Sequence, residues 1–295
     1  MAKRLLFILN PRSGKGQIKE HLADILDIMV KAGYEVSVHI TQCGGDATTK
    51  TIEQAKNFDR IICSGGDGTL DEVVTGMMES EIKVPIGYIP AGSTNDFGNS
   101  LGIDKDMLRA AHISVSDHLF PCDIGRFNSD SFVYVAAFGI FTEVSYQTPQ
   151  DMKNVLGHAA YIIEGAKQLR DIPSFRMMVE YEGNVVYEEF IYGMVTNSMS
   201  VGGFKGIIQG DIGLNDGVFE VTLIKMPKNP IELNEIIAFM TGMIDDSGMV
   251  YSFQTDEIKL TSSEEVPWTL DGENGGKHKT VLIKNAHKAL EIAIE

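Results

Sequence analysis

Three glycines around an acid, Gly65-Gly66-Asp67-Gly68 with Thr69 behind them, form the segment of this chain best suited to chemistry. Glycine tolerates positive φ angles and lets a bulky anion reach bare backbone amides. The segment follows an apolar run, Ile61-Ile62-Cys63, and precedes a stretch, Leu70 to Met78, that reads as a helix. Such a helix aims its positive end at the glycines, which is where phosphates bind. Thr69 and Glu72 have the spacing of a capping box and predict that the helix starts there. Asp67 is out of place beside a phosphate unless a cation or a proton lies between. A magnesium–nucleotide complex resolves this, and so does a sugar or substrate hydroxyl polarised by the carboxylate. The bland alternative is a strand-to-helix turn with a solvated aspartate.

Four other segments carry comparable groups. Asn10-Pro11-Arg12-Ser13-Gly14-Lys15-Gly16 fits neither a Walker loop nor a GxGxxG fingerprint. Its amides, with Arg12 and Lys15, could face phosphates, or the segment could be a plain turn. Pro90-Ala91-Gly92-Ser93-Thr94-Asn95-Asp96-Phe97 gathers hydroxyls, an amide and a carboxylate suited to a nucleotide or a magnesium–water network. Ser93 with Asp96 also reads as a simple helix cap. Asp211 to Val218 resembles a cation loop whose glycine, Gly217, falls one place late for an EF-hand, so the residues alone favour a hairpin turn at Asn215-Asp216-Gly217. Asp271 and Glu273 flank Gly272 within Thr269 to Gly276. A carboxylate there could serve as general base in phosphoryl transfer, or both acids could sit on an exposed β-turn.

The elements needed to position these loops are legible. Up to about residue 125, β-rich runs at Arg4–Leu9, Glu35–Ile40, Arg60–Cys63 and Val84–Ile89 alternate with helical stretches at Ile18–Lys31, Ala47–Lys56 and Leu70–Met78. That alternation predicts a parallel, doubly wound sheet, which binds ligands beyond the carboxyl ends of its strands. The glycine- and asparagine-rich segments fall at those ends. Beyond residue 120 the texture changes: runs at Ser131–Phe138, Phe175–Tyr181, Val185–Thr196 and Val218–Ile224 are separated by turn residues and predict an antiparallel, β-rich second domain. Helices are expected through Val155, Ala159, Ile162, Ala166 and Leu169, and over Ile231–Met243. Strands at Thr280–Lys284 and Ala289–Ile294 could join either domain. The domain expectation is 1–125 and 126–295.

Composition narrows the partners. A net charge of −16 argues against non-specific nucleic-acid binding and against uniform attraction to anionic membranes. Six basic residues against three acidic ones within residues 1–34 leave room for a local basic face. Three dispersed cysteines suggest neither a disulfide framework nor zinc, the seven histidines do not pair at metal spacing, and no GxSxG elbow is present. The second-domain methionines Met177, Met178, Met194 and Met199 read as core, with a lipid-lining role as the alternative. Neither a signal peptide nor a membrane span is read, so the expected location is the cytoplasm.

Taken in order, Asn10-Pro11-x-Ser13-Gly14, Gly65-Gly66-Asp67-Gly68-Thr69, Gly92-Ser93-Thr94-Asn95-Asp96-Phe97, Asn215-Asp216-Gly217 and Leu270-Asp271-Gly272-Glu273 resemble the soluble bacterial diacylglycerol kinases and related lipid kinases, whose catalytic fold includes sphingosine kinases. The resemblance implies an NAD-kinase-like α/β domain followed by a β-rich, sandwich-like domain. It also implies an ATP- and magnesium-dependent transfer of phosphate to a lipid hydroxyl, with the lipid between the domains. By position, Asn10, Thr41, Gly65, Gly66, Asp67, Gly68, Thr69, Leu70, Asp71, Ser93, Asn95 and Asp96 would line the nucleotide. Asp216, with main-chain oxygens of Gly213 and Val218, would hold magnesium. Glu273, or Asp271 beside it, would accept the hydroxyl proton, and Asp67 would lie near the metal and phosphates. Asp71 stands where family members often carry Asn and adds negative charge beside the phosphates. The implied partners are a lipid substrate met peripherally and reversibly at the membrane surface and, as the working expectation, a second copy in a homodimer. A kinase of a soluble substrate, or a non-catalytic nucleotide- or lipid-binding regulator, are the competing readings.

Overall fold

The last five residues of the first strand, β1 (Lys3–Leu9), are buried without a break, as a parallel strand covered on both faces requires. The structure, a computed structural model, describes residues 2–14, 16–92, 95–140, 172–197, 213–240 and 242–295. It divides into two units, residues 1–124 with 287–295, and 125–286.

In the first unit β1 is followed by α1 (Ile18–Lys31), β2 (Tyr34–Ile40), α2 (Asp46–Gln54), β3 (Arg60–Gly65), α3 (Asp67–Glu79) and β4 (Ile86–Pro90). The strands are parallel in the order β4-β3-β1-β2, with Leu5 opposite Val36, Phe7 opposite Ile62, and Ile62 opposite Gly87. Ile18, Ile25 and Met29 form the buried stripe of α1, which keeps its predicted limits. Two short helices follow β4, α4 (Asp96–Ser100) and α5 (Met107–Ser114). Asp106 caps α5 by accepting the Leu108 and Arg109 amides, a helix that the sequence pattern did not announce.

The second unit is antiparallel. Its strands include β6 (Asp130–Phe132), β7 (Val135–Gly139), β8 (Phe175–Tyr181), β9 (Asn184–Thr196), β10 (Phe219–Lys225), β11 (Val250–Thr255) and β12 (Glu257–Leu270). β5 (Leu119–Phe127) and β13 (Glu273–Ala293) contribute residues to both units. The core of the second unit is aromatic, with the Trp268 ring centred 5.1 Å from Phe127 and 4.9 Å from Phe138. A helix occupies Pro230–Met240, short of the expected Met243. Gly242, at φ 71°, then turns the chain out of it.

Three expectations are corrected. The helix after the glycine loop begins at Asp67 with Gly66 as its cap, so Thr69 lies inside its first turn. Thr69 and Glu72 make no capping box, because the Glu72 carboxylate is taken by another helix. The run read as one strand, Ser131–Phe138, breaks at Val133-Tyr134, whose amides bond to the Asp271 side chain rather than to a neighbouring strand. The two C-terminal strands are one. The polar Asn285-Ala286-His287-Lys288 looks like a turn, but the strand continues through it. Lys288 adopts φ 49°, and the buried Asp123 carboxylate receives both the Lys288 amide (2.6 Å) and His287 Nδ1 (3.0 Å). The expected helix through Val155–Leu169 and residues Lys15, Ser93, Thr94, Met199, Asp211 and Ile212 lie outside the described residues. Among those described, no helix is long and apolar enough to cross a membrane.

Candidate active site

Loops leave the carboxyl ends of β1, β3 and β4 in the first unit and lock together at glycines. A side chain on Gly14, at φ 54°, would place its Cβ 2.3 Å from the Ala91 carbonyl oxygen. One on Gly92 would lie 2.6 Å from the Gly66 Cα. No other residue permits these approaches. Polar bonds tie the same loops. The Gly66 amide donates to Ser13 Oγ at 3.2 Å, and Asn10 Nδ2 donates to Thr69 Oγ1 at 3.3 Å. The Tyr88 hydroxyl donates to the Gly65 carbonyl oxygen and lies 3.1 Å from Asn95 Oδ1, which also accepts the Gly92 amide. Burial, together with the charge of Asp67, pushes the Tyr88 hydroxyl pKa well above its ordinary range, so the phenol stays protonated and can keep donating.

Thr41, at the end of β2, is fixed by its amide on the Leu9 carbonyl oxygen at 3.0 Å. With Asn10, Arg12, Gln42, Cys43, Gly44, Thr69 and Glu72 it lines a cavity of about 200 Å³. The structure thus brings together Asn10, Thr41, Gly65, Gly66 and Thr69. Asp67, Gly68, Leu70 and Asp71 lie in the first turns of α3 directly behind them, and Asn95 joins through Tyr88 and Gly92. Asp96 opens α4. Glu72 was missed as a member of this group, because its spacing from Thr69 already explained it as a local cap. Ser13 and Tyr88 were missed as well, for no sequence pattern marks a hydroxyl that will bond across loops.

In the second unit, Asp271 and Gly272 form a two-residue hairpin turn between β12 and β13, with φ 51° and 84° and Leu270 paired to Glu273. The two acids have different surroundings. Asp271 is 5% exposed, and its carboxylate accepts the amides of Val133 (2.6 Å), Tyr134 (3.0 Å) and Val135 (2.8 Å). Its own amide donates to the Val135 carbonyl oxygen at 2.8 Å. Glu273 is exposed at the head of β13.

Asp216 is also exposed, and its carboxylate accepts the Gly213 and Val218 amides at 3.1 Å each. This fixes its direction, and each oxygen, having two lone pairs, keeps accepting capacity. Among the described residues no group of three or more His, Cys, Asp or Glu side chains could hold a metal ion. A single exposed carboxylate is a donor of the type that magnesium takes singly or in pairs while keeping several waters.

Comparisons with known proteins bear on both units. A family model described as the diacylglycerol kinase catalytic domain matches residues 4–127. A second, described as the YegS C-terminal NAD kinase beta sandwich-like domain, matches residues 135–293. A curated protein named diacylglycerol kinase from Bacillus subtilis (strain 168) is 38% identical over 278 residues, covering 93% of this chain and 91% of its own length. One of the same name from Staphylococcus aureus (strain bovine RF122 / ET3-1) is 38% identical over 283 residues, covering 94% and 88%. A crystal structure of a diacylglycerol kinase from Bacillus anthracis str. Sterne superposes with a TM-score of 0.76 at 22% identity, covering 100% of this chain and 97% of that one. At that identity the likeness is one of fold.

Proposed function

The chain belongs to the diacylglycerol kinase family, and from that premise we propose how it works. It is a lipid kinase. The reaction we assign moves the γ-phosphoryl group of ATP to the primary hydroxyl of diacylglycerol. The bond from the γ-phosphorus to the bridging oxygen breaks, a bond to the lipid oxygen forms, the hydroxyl proton leaves to a carboxylate, and the products are ADP and phosphatidic acid.

The roles of the chain's residues follow from their surroundings. The sheet of the first unit, read as doubly wound, turns the carboxyl ends of β1, β3 and β4 toward the nucleotide. The amides of the Gly65–Thr69 loop and the start of α3 receive the phosphates, with Asn10, Thr41, Leu70, Asp71, Ser93, Asn95 and Asp96 around them. Magnesium, held by Asp216 with the carbonyl oxygens of Gly213 and Val218, would neutralise phosphate charge. Asp67 sits by the phosphates. Glu273 accepts the proton. The observation that carries this assignment is the contrast across Gly272: three amides occupy the Asp271 carboxylate, whereas Glu273 is exposed. Asp271 then shapes the turn from which Glu273 projects. Catalysis of this kind is mainly positioning and electrostatics. The lipid acceptor implies peripheral, reversible contact with a membrane surface, and a homodimer is the proposed assembly.

The test is incubation of the purified protein with labelled ATP, magnesium and a neutral-lipid extract in detergent micelles. Labelled phosphatidic acid is expected. Label appearing only in a soluble acceptor such as NAD, or ATP bound without turnover on any lipid, would overturn the assignment.

A further inference from the structure

The sheet of the first unit ends at β2, which pairs with β1 on one side and, among the described residues, with no strand on the other. The register decides which groups face outward. Leu9 stands opposite Ile40, and its carbonyl oxygen accepts the Thr41 amide at 3.0 Å, so the peptide groups of Glu35, Ser37 and His39 serve β1. Those of Tyr34, Val36, Val38 and Ile40 therefore point away from the sheet. Lysine, proline or a bulge commonly blunts such an edge. β2 has none of them: it reads Tyr-Glu-Val-Ser-Val-His-Ile in unbroken register, with Val38 44% and Ile40 45% exposed.

We propose that β2 is the surface on which a second copy of this chain docks, as an antiparallel strand with the two-fold axis at Ser37. The surface rests on the homodimer assigned above. Reversed about Ser37, β2 is complementary to itself. Val36 meets the partner's Val38, and Tyr34 meets the partner's Ile40. These are the outward-facing residues, so each pair exchanges two backbone hydrogen bonds while the exposed side chains cover one another. Glu35 meets the partner's His39, a carboxylate opposite an imidazole whose Nε2 lies 3.1 Å from Asp46. Moving the axis to Val36 or Val38 keeps the bonding pattern but separates Glu35 from His39, so charge selects the register. The strand β11 of the second unit, which also ends a run of paired strands, does not suit a second copy. The cavity beside it is lined by Glu220, Asp245 and Asp246, which would face their like.

Cross-linking reads the register directly. Ser37→Cys and Glu35→Cys are made separately in a Cys43→Ser chain, because Cys43 is exposed whereas Cys63 and Cys122 are buried. Residues opposed on the axis have Cα atoms about 4.5 Å apart, within disulfide range, whereas the two copies of position 35 lie about 14 Å apart along the strands. Under diamide, Ser37→Cys is expected to run as a covalent dimer on a non-reducing gel and Glu35→Cys as a single chain. Val38→Lys changes an exposed side chain, leaves the bonds to β1 in place, and should weaken the dimer about tenfold by sedimentation. A dimeric wild type would still overturn the docking surface if Ser37→Cys cross-linked no better than Glu35→Cys, or if Val38→Lys associated as tightly as wild type. A monomeric wild type would overturn the homodimer itself, and the surface with it.

Discussion

Glu273 and Asp271 are two carboxylates two residues apart, yet they differ in what water and amides can reach them. If Glu273 takes the hydroxyl proton, Glu273→Gln should lower kcat by about 10²–10⁴-fold, the usual weight of general base catalysis, with ATP affinity unchanged by direct titration. Asp271→Asn should behave differently. Its NH2 group would face amide donors now bonded at 2.6–3.0 Å, leaving at least one buried donor unmet at a cost of about 1–3 kcal/mol. Denaturant unfolding should show that loss, and the pH dependence of the residual activity should match wild type, because the accepting group is still present. Asp46 offers a third test. The Gln42 amide, joined more weakly by His39 and opposed by partial burial, holds its carboxyl below the ordinary value of 3.8. A carboxyl depressed on folding stabilises the native state above its unfolded value and loses that contribution as pH falls through the native one. Asp46→Asn should therefore be less stable than wild type at pH 7, with the gap closing as pH falls below the ordinary carboxyl value of 3.8.

At the scale of elements, the loops work because glycines let them touch. Gly14 and Gly16 both adopt left-handed φ, 54° and 69°, so alanine at either costs about 1–2 kcal/mol in backbone strain. Only Gly14 meets a backbone oxygen at 2.3 Å, whereas the nearest atom to a Cβ at Gly16 is 3.5 Å away. Gly14→Ala should consequently lose more stability than Gly16→Ala and raise the KM for ATP further, a comparison that cancels the shared backbone term. These same loops were the most legible part of the sequence. Alternating apolar runs located β1 to β4 and the three long helices between them, and the glycine segments fell at strand ends, where the structure has them. Contacts formed at a distance were not legible. Nothing local to Val133-Tyr134 says that a carboxylate more than a hundred residues later will take their amides and split a strand. Nor does the polar Asn285–Lys288 stretch announce that the buried Asp123 will hold it extended. Glu72 was read as a local cap because its local spacing was right; the winning partner was α2, brought close by the packing of α2 on α3.

Across the whole molecule, charge sets the terms of any encounter with a membrane. The chain carries a net −16, and part of the basic excess near its start is already spoken for: Lys31 pairs with Asp27 and Lys3 with Asp117. Association with diacylglycerol-containing vesicles should weaken as anionic lipid is added and recover as salt shortens the screening length toward about 8 Å at physiological strength. Flotation across a salt series measures this, and association weakened by salt would assign control to the local basic face instead. A different consequence follows from β13. Its last residues belong to the first unit, where Ile292 pairs with Ile86 of β4 and the Ile294 amide donates to the His118 carbonyl oxygen. On the ribosome those residues emerge only after all of 125–286 has been made, on the order of ten to thirty seconds at bacterial or slower elongation rates. Until then β4 has β3 on one side only, so a nascent or prematurely terminated chain keeps an open sheet edge that chaperones and proteases can read as unfinished.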